Sequence, residues 1–473
     1  MTDVTPALID GEAVTTAESA EVTSPYDGRT VGAVPVCTEV ELDRAVAAAL
    51  ARHRGGALPA HERAAVLDRV AVALAERIDE FATSIMEEAA KPITTSRAEV
   101  TRAIDTVRFS AAAARTATGD LVAMDASAAG VGKLGYAKRL PIGVVVAITP
   151  FNFPLNMVCH KVAPAVAAGC PVVLKPASAT PLTALRLANL FAECGLPSGW
   201  LNVVTCSGSM ANHLVEHPDI SMITFTGSPE VGWGIRQRAP RRRVGLELGN
   251  NAPVIVAEDA DWQTASSKIA VGGYSFSGQS CISVQRVYVH RSLHERFVED
   301  LAARVAALEV GDPADPQTEL SALIAPKETE RVEGMIGEAA DQGARVVTGG
   351  DRSEDRVLRP TLLDGVQPTM EVVRTEVFGP VVGVAAFDDL DEAITRANDT
   401  RYGLQAGLFS RDLATALRAA DELDFGGVLV NEVPTWRADQ QPYGGVRDSG
   451  NTREGPAYAV QEMTELRMVV VQG

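Results

Sequence analysis

The sequence predicts an α/β protein of two parallel-sheet domains and a small separate β element, on three observations. From residue 141 onward, short β-branched runs alternate with helical stretches. The alternation restarts after Ala252, and two strand-like segments fall outside both rhythms.

The elements follow in order. Through 40–118, and most clearly at 61–90 and 97–116, alanine, aliphatic and charged residues recur at helical spacing. Strands are then predicted at 143–149, 172–175, 201–205, 220–225 and 244–248, separated by helices at 156–168, 181–194, 208–216 and 229–238. Such alternation implies parallel βαβ units with both sheet faces covered, and ligands at the C-terminal strand ends. The second series comprises 286–290, 345–347, 381–387, 407–410 and 428–431. The lone strands, 133–140 and 466–471, need partners and would pair with each other or with another subunit.

A chain of 473 residues exceeds one ordinary domain, and 46% hydrophobic with 22% charged residues suits substantial cores. The net charge of −18 excludes the broad basic face that nucleic acid requires. The one basic run, Arg241-Arg242-Arg243, reads as a solvated turn before a strand. Six cysteines without a CxxC pair exclude a disulfide framework and a structural zinc site, and fit reduced thiols in the cytoplasm. No basic leader or membrane-length apolar run is present, so no membrane partner is expected.

Four strand ends carry candidate chemistry. Asn152, in TPFNFP after the first strand, offers amide donors for an oxyanion, and equally suits a Pro-bounded turn. At Phe225-Thr226-Gly227-Ser228-Pro229 a tight turn opens a helix whose N-terminus favours phosphate, or is simply well capped. Glu247, between apolar neighbours, is a base candidate or an ion-pair partner of a nearby Arg. Cys281, in GQSC, is a nucleophile candidate among six cysteines, most of which should be packing residues.

Together these pieces resemble the aldehyde dehydrogenase superfamily over nearly the whole chain. The motifs are TPFNFP (149–154), LKPA (174–177), FTGS (225–228), LELG (246–249), GQSC (278–281), EVFGP (376–380) and PYGGVRDSG (442–450). The resemblance implies two Rossmann-like domains: a dinucleotide-binding one from 1–118 and 142–249, and a catalytic one from 250–450. An oligomerisation element would come from 119–141 and 451–473, in a homodimer or homotetramer. Cys281 would be the nucleophile, Asn152 with the Cys281 amide the oxyanion hole, and Glu247 the general base. NAD or NADP would lie against Thr149, Pro150, Phe151, Lys175, Ala177, Ser178, Gly208, Phe225, Thr226, Gly227, Ser228, Glu247, Leu248 and Gly249. Glu376 would hold the nicotinamide ribose, and Phe378 would pack near its ring. A small aldehyde would then pass through a thiohemiacetal and a thioester to its acid.

Two departures matter. Asn250 stands where the family usually has Gly, a substitution that a left-handed backbone tolerates. Ser178 stands where many NAD-preferring members have Glu, which removes the repulsion of a 2′-phosphate and admits NADP. The segments 152–164 and 433–445 are most similar to the lactaldehyde, non-phosphorylating glyceraldehyde-3-phosphate and phosphonoacetaldehyde dehydrogenase branch. By that likeness Arg108, His160 and Arg437, with Asn152 and Ser280, would face the substrate, favouring a short phosphonate- or phosphate-bearing aldehyde. Ser280 replaces the Arg that such relatives carry there, which also fits a neutral hydroxyaldehyde such as lactaldehyde. The rivals are a CoA-acylating enzyme, disfavoured by Glu247; esterase activity alone; and a non-catalytic binding protein on the same fold, disfavoured by retention of Cys281 and Asn152.

Overall fold

The computed structural model describes residues 4–353 and 357–473. Four helices, Glu39–Arg54, Ala60–Glu76, Ile78–Ala89 and Ile93–Thr116, fill the predicted N-terminal helical region. Thr38 and Glu41 form a reciprocal capping box that starts the first. The fourth buries Val100, Ala103, Ile104, Val107 and Ala111 as a core stripe, and the same helix also buries Ser96, Glu99, Thr106 and Ser110. Polar side chains kept from water at helical spacing must find partners, and these lie at the site described below.

The first sheet runs in the spatial order Arg243–Glu247, Ile220–Thr226, Val144–Ile148, Val172–Lys175, Leu201–Val203, followed by the N-terminal hairpin Ala7–Ile9 and Glu12–Val14. The first five strands are parallel, Ala7–Ile9 joins them antiparallel, and Glu12–Val14 pairs antiparallel with Ala7–Ile9. Beside Val144–Ile148 the strand order reverses, which opens a crevice at its carboxyl end. The helix Asn156–Ala168 behind this sheet is buried all round, as its nearly uniform apolar sequence demands, and Gly169 ends it with a left-handed φ of 90°.

The second sheet orders Arg345–Thr348, Thr361–Asp364, Val381–Phe387, Val284–His290, Ala252–Val256, Gln405–Phe409 and Gly427–Val430, parallel except for its first strand. The lone strands pair with each other in register from Thr464 opposite Pro141 to Gln472 opposite Lys133, and Asp120–Val122 adds a third strand. No helix among the described residues is long and apolar enough to cross a membrane.

Several elements escape sequence reading. Ala252–Val256 is buried on both faces and shows no alternation, while Thr361–Asp364 is four residues long. The basic run also needs correction. The turn before the strand forms with Arg241 exposed, but Arg242 is not simply solvated: its guanidinium donates to the carbonyls of Val215, Glu216, His217 and Ile220 at 2.6–3.0 Å, closing the end of the helix Ala211–Glu216. Arg243 pairs with Glu465 at 2.6 Å and ties this strand to the C-terminal one.

Candidate active site

One cavity of about 720 Å³ lies at the crevice of the first sheet and extends to the loop carrying Cys281. Every residue expected to touch the dinucleotide lines it except Glu247, and of the expected substrate contacts Asn152, Ser280 and Arg437 do so.

The dinucleotide end is built from strand-end turns. Ser228 caps the helix Pro229–Arg238, accepting from the Val231 N–H at 3.4 Å, with Pro229 in its first turn. Gly227 has no room for a side chain, since a Cβ would sit 2.6 Å from the Phe225 ring. Thr149 and Thr226 each bury a hydroxyl without a protein partner. Lys175 is buried, with Nζ 3.5 Å from Ser178 Oγ, and Ser178 donates to the Cys206 carbonyl at 3.2 Å. Gly249 lies so close to Glu376 that a Cβ would come within 2.4 Å of its carboxylate. Burial pushes the Glu376 carboxyl up to about 7, and the Asn250 N–H at 3.0 Å opposes that rise. Phe378 holds a positive φ of 47° and meets Phe151 edge-on, with centroids 5.8 Å apart. A capped helix N-terminus, orphaned hydroxyls and a glycine-permitted approach to Glu376 suit a dinucleotide.

Asn250 acts differently from the expectation. Its backbone is not left-handed; instead its side-chain amide donates to the Gln405 carbonyl at 3.2 Å and accepts from the Leu404 N–H. It ties the segment between the two sheets to the start of the strand Gln405–Phe409, which glycine has no side chain to do.

Cys281 follows a rare run of left-handed residues: Phe276, Ser277 and Gly278 have φ of 51°, 54° and 70°. Ser277 Oγ anchors the run by donating to the Ser321 carbonyl at 2.6 Å, and Gly278 packs where a Cβ would strike the Gly379 carbonyl. Ser280 Oγ accepts from the Ile282 N–H at 3.4 Å within the same turn. Burial pushes the Cys281 thiol up to about 12, and the Tyr443 hydroxyl, 3.2 Å from Sγ, pulls it back.

Asn152 donates one amide hydrogen to the Gln279 carbonyl at 2.9 Å, so the other remains free. The Asn152 backbone carbonyl accepts from Lys91 Nζ at 2.7 Å, and Lys91 pairs with Glu99, both buried. Glu99 also accepts from the Leu155 and Asn156 N–H groups, which fixes the start of the helix behind Asn152.

Glu247 lies behind the cavity wall, with Oε1 unpartnered. Burial, and then the neighbouring Glu454, push its carboxyl well above the ordinary range. Burial would raise Glu454 too, but Lys161 at 3.1 Å and Arg437 at 3.1 Å hold it low.

The residues expected at the substrate lie at different distances from the cavity. Arg108 does not reach the cavity: it points to solvent, with 59% of its side chain exposed, beside Asp105. Two turns earlier on the same helix, Arg102 lines the cavity and grips Asp439 through two bonds of 3.1 and 2.8 Å. His160 is fully buried behind the wall, 2.9 Å from Asp439 and 3.2 Å from Arg437, and burial, then Arg437, lower its pKa. It positions those two residues and does not meet the cavity. Arg437 does, with its guanidinium 3.7 Å from the Tyr443 ring centroid and Nε buried without a partner.

Sequence reasoning thus missed Lys91, Glu99, Arg102, Lys161, Tyr443, Asp439 and Glu454. One signal was present: Glu99, Arg102 and Thr106 recur at helical spacing along an otherwise apolar stripe.

Comparison with known proteins agrees with this geometry. The chain is 45% identical over 464 residues to a 3-sulfolactaldehyde dehydrogenase of Priestia aryabhattai, covering 98% of this chain and 97% of that protein. It is 35% identical to a lactaldehyde dehydrogenase of Methanococcus aeolicus, covering 98% and 99%. Among solved structures, an NADP-dependent glyceraldehyde-3-phosphate dehydrogenase from Bacillus halodurans superposes with a TM-score of 0.96 at 36% identity, covering 99% of each chain. Aldehyde dehydrogenase 21 from Physcomitrella patens, in complex with the reaction product succinate, gives 0.96 at 38%, covering 100% and 99%. The model of the aldehyde dehydrogenase family matches residues 13–469, and the chain belongs to that family.

Proposed function

We propose that this aldehyde dehydrogenase oxidises a short aldehyde bearing one negative charge, a sulfonate or carboxylate, using NAD or NADP. The observation that carries the substrate class is Arg437, buried at the cavity wall with an unpartnered Nε. Leaving such a donor unpaired costs about 1–3 kcal/mol, which a packed apolar side chain would avoid. The guanidinium presents its charge at the cavity wall, which favours an anionic ligand there. Around the substrate end, Arg102, Arg437 and Lys161 stand against Asp439 and Glu454, while Glu247 and His160 shift toward their neutral forms. The cationic side chains outnumber the carboxylates they pair with there, which favours an anionic aldehyde over a neutral one. The similarity to a 3-sulfolactaldehyde dehydrogenase supports the same reading.

In this reading the Cys281 thiolate attacks the carbonyl carbon, and the free amide hydrogen of Asn152 with the Cys281 N–H steadies the oxyanion. The dinucleotide, when bound, supplies two-electron oxidation. Glu247 then takes the proton of the hydrolytic water. Ser178, rather than a carboxylate, beside Lys175 supports use of NADP as well as NAD.

The exposed apolar residues Leu121, Leu134, Leu466, Met468 and Val470 on the three-stranded sheet support a homodimer or homotetramer. The sheet divisions support the three-part domain assignment, and six free cysteines support a cytoplasmic setting.

The test is a matrix of sulfonate, carboxylate, phosphate, phosphonate and neutral hydroxy aldehydes against both cofactors. The highest kcat/KM is expected for a monoanion. A neutral aldehyde at the top would overturn the reading.

A further inference from the structure

Tyr443 belongs to the 442–450 motif and has no task in the function proposed above. Its side chain is buried and lines the cavity. Among the described residues its hydroxyl is the only side-chain hydrogen-bond partner of Cys281 Sγ, at 3.2 Å, and no His, Lys or Arg bonds the sulfur. The ring is set firmly. Tyr443 exchanges two backbone hydrogen bonds with Glu454, at 3.1 and 2.6 Å, and the Arg437 guanidinium covers its face. Arg437 is itself fixed by Glu454 and His160.

We propose that Tyr443 is a catalytic residue whose phenol donates a hydrogen bond to Cys281 Sγ, favouring the thiolate before attack and again as it leaves the thioester. The proposal rests on Cys281 being the nucleophile. A thiolate accepts such a bond far better than a neutral thiol or thioether sulfur, so the bond lowers the cost of a buried anion. A cation over the ring face draws electron density from it and makes the O–H a better donor. Burial and the neighbouring Cys281 push the phenol well above its ordinary value, so it keeps its proton while the sulfur ionises.

The same contact acts at the end of the cycle. The oxygen of water bonds to the acyl carbon, its proton passes to Glu247, and the carbonyl pair moves onto the oxyanion. When that pair returns, the C–S bond breaks and its electrons go to sulfur. The phenol hydrogen bond strengthens as that charge arrives, which assists departure.

Tyr443→Phe removes the hydroxyl and keeps the ring beneath Arg437. The assay is alkylation of the cofactor-free enzyme by iodoacetamide from pH 6 to 11, with Cys281 followed by peptide mass spectrometry; the other five cysteines are buried. Below the thiol's ionisation midpoint alkylation should slow about tenfold at each pH, the equivalent of a midpoint raised by about one unit. The acid limb of kcat/KM should move by the same amount. Placing a more acidic 3-fluorotyrosine at position 443 should move the midpoint the other way, and keeps the proposal testable should Tyr443→Phe fold poorly. Coincident profiles for variant and native enzyme would overturn the proposal, as would shifts of both variants in one direction. Normal turnover by Cys281→Ala would remove the nucleophile itself and this role with it, an outcome the alkylation midpoints do not mimic.

Discussion

The two ends of the cavity are built in opposite ways. At the dinucleotide end, most groups sit within a few residues of a strand end and are held locally, Ser228 by the helix it caps and Lys175 by its strand; Glu376, which reaches Gly249 from far along the chain, is the exception. At the substrate end, groups far apart in sequence meet as a buried charge network. Arg102 reaches Asp439 across 337 residues, and Lys161 reaches Glu454 across 293. The first design tolerates single changes, because each turn is independent. The second couples its members, because removing one charge leaves its partner buried and unpaired.

The reacting centre lies between the two ends. Cys281→Ala should reduce dehydrogenase turnover by about 10⁴-fold or more with every aldehyde, while leaving cofactor binding intact. Retention of normal turnover would remove the shared centre from the comparison.

At the substrate end, Arg437→Ala should lower kcat/KM about 10²-fold for an anionic aldehyde and much less for a neutral one of similar size. Equal losses would mean that Arg437 is a structural member of the network, not a substrate contact. At the dinucleotide end, Ser178→Glu should reduce kcat/KM with NADP about tenfold and leave NAD within about twofold. Comparable losses with both would show that the two ends are coupled. The smallest effect belongs to Arg108→Ala, which should leave kinetics within about twofold because its charge lies in solvent. A larger rise in KM for the anionic aldehyde would restore Arg108 to the mouth.

The dinucleotide end was nearly all legible in the sequence, and the substrate end was not. FTGS followed by Pro predicts a capped helix from local chemistry alone, and that is what forms. Arg108 and Arg102 lie on one helix with equal claims to the substrate. They differ only in what stands opposite: Asp439 for Arg102, and solvent for Arg108. His160 carries the right chemistry, but the packing of its fully buried helix turns it behind the wall.

By itself, then, the sequence determined the α/β architecture, the family, and the residue types at each strand end, including Cys281, Asn152 and Glu247. The architecture follows from periodicity and turn chemistry, which act over a few residues, and the family and these residues' roles from the resemblance that the ordered motifs carry. Only the tertiary structure decided that 133–141 pairs with 464–472 within one chain, that Arg102 and not Arg108 meets the cavity, and that Tyr443 reaches the sulfur. Those outcomes depend on which side chains meet across hundreds of residues. Burial makes the meetings obligatory, since a charge or hydroxyl withdrawn from water must be answered by a partner.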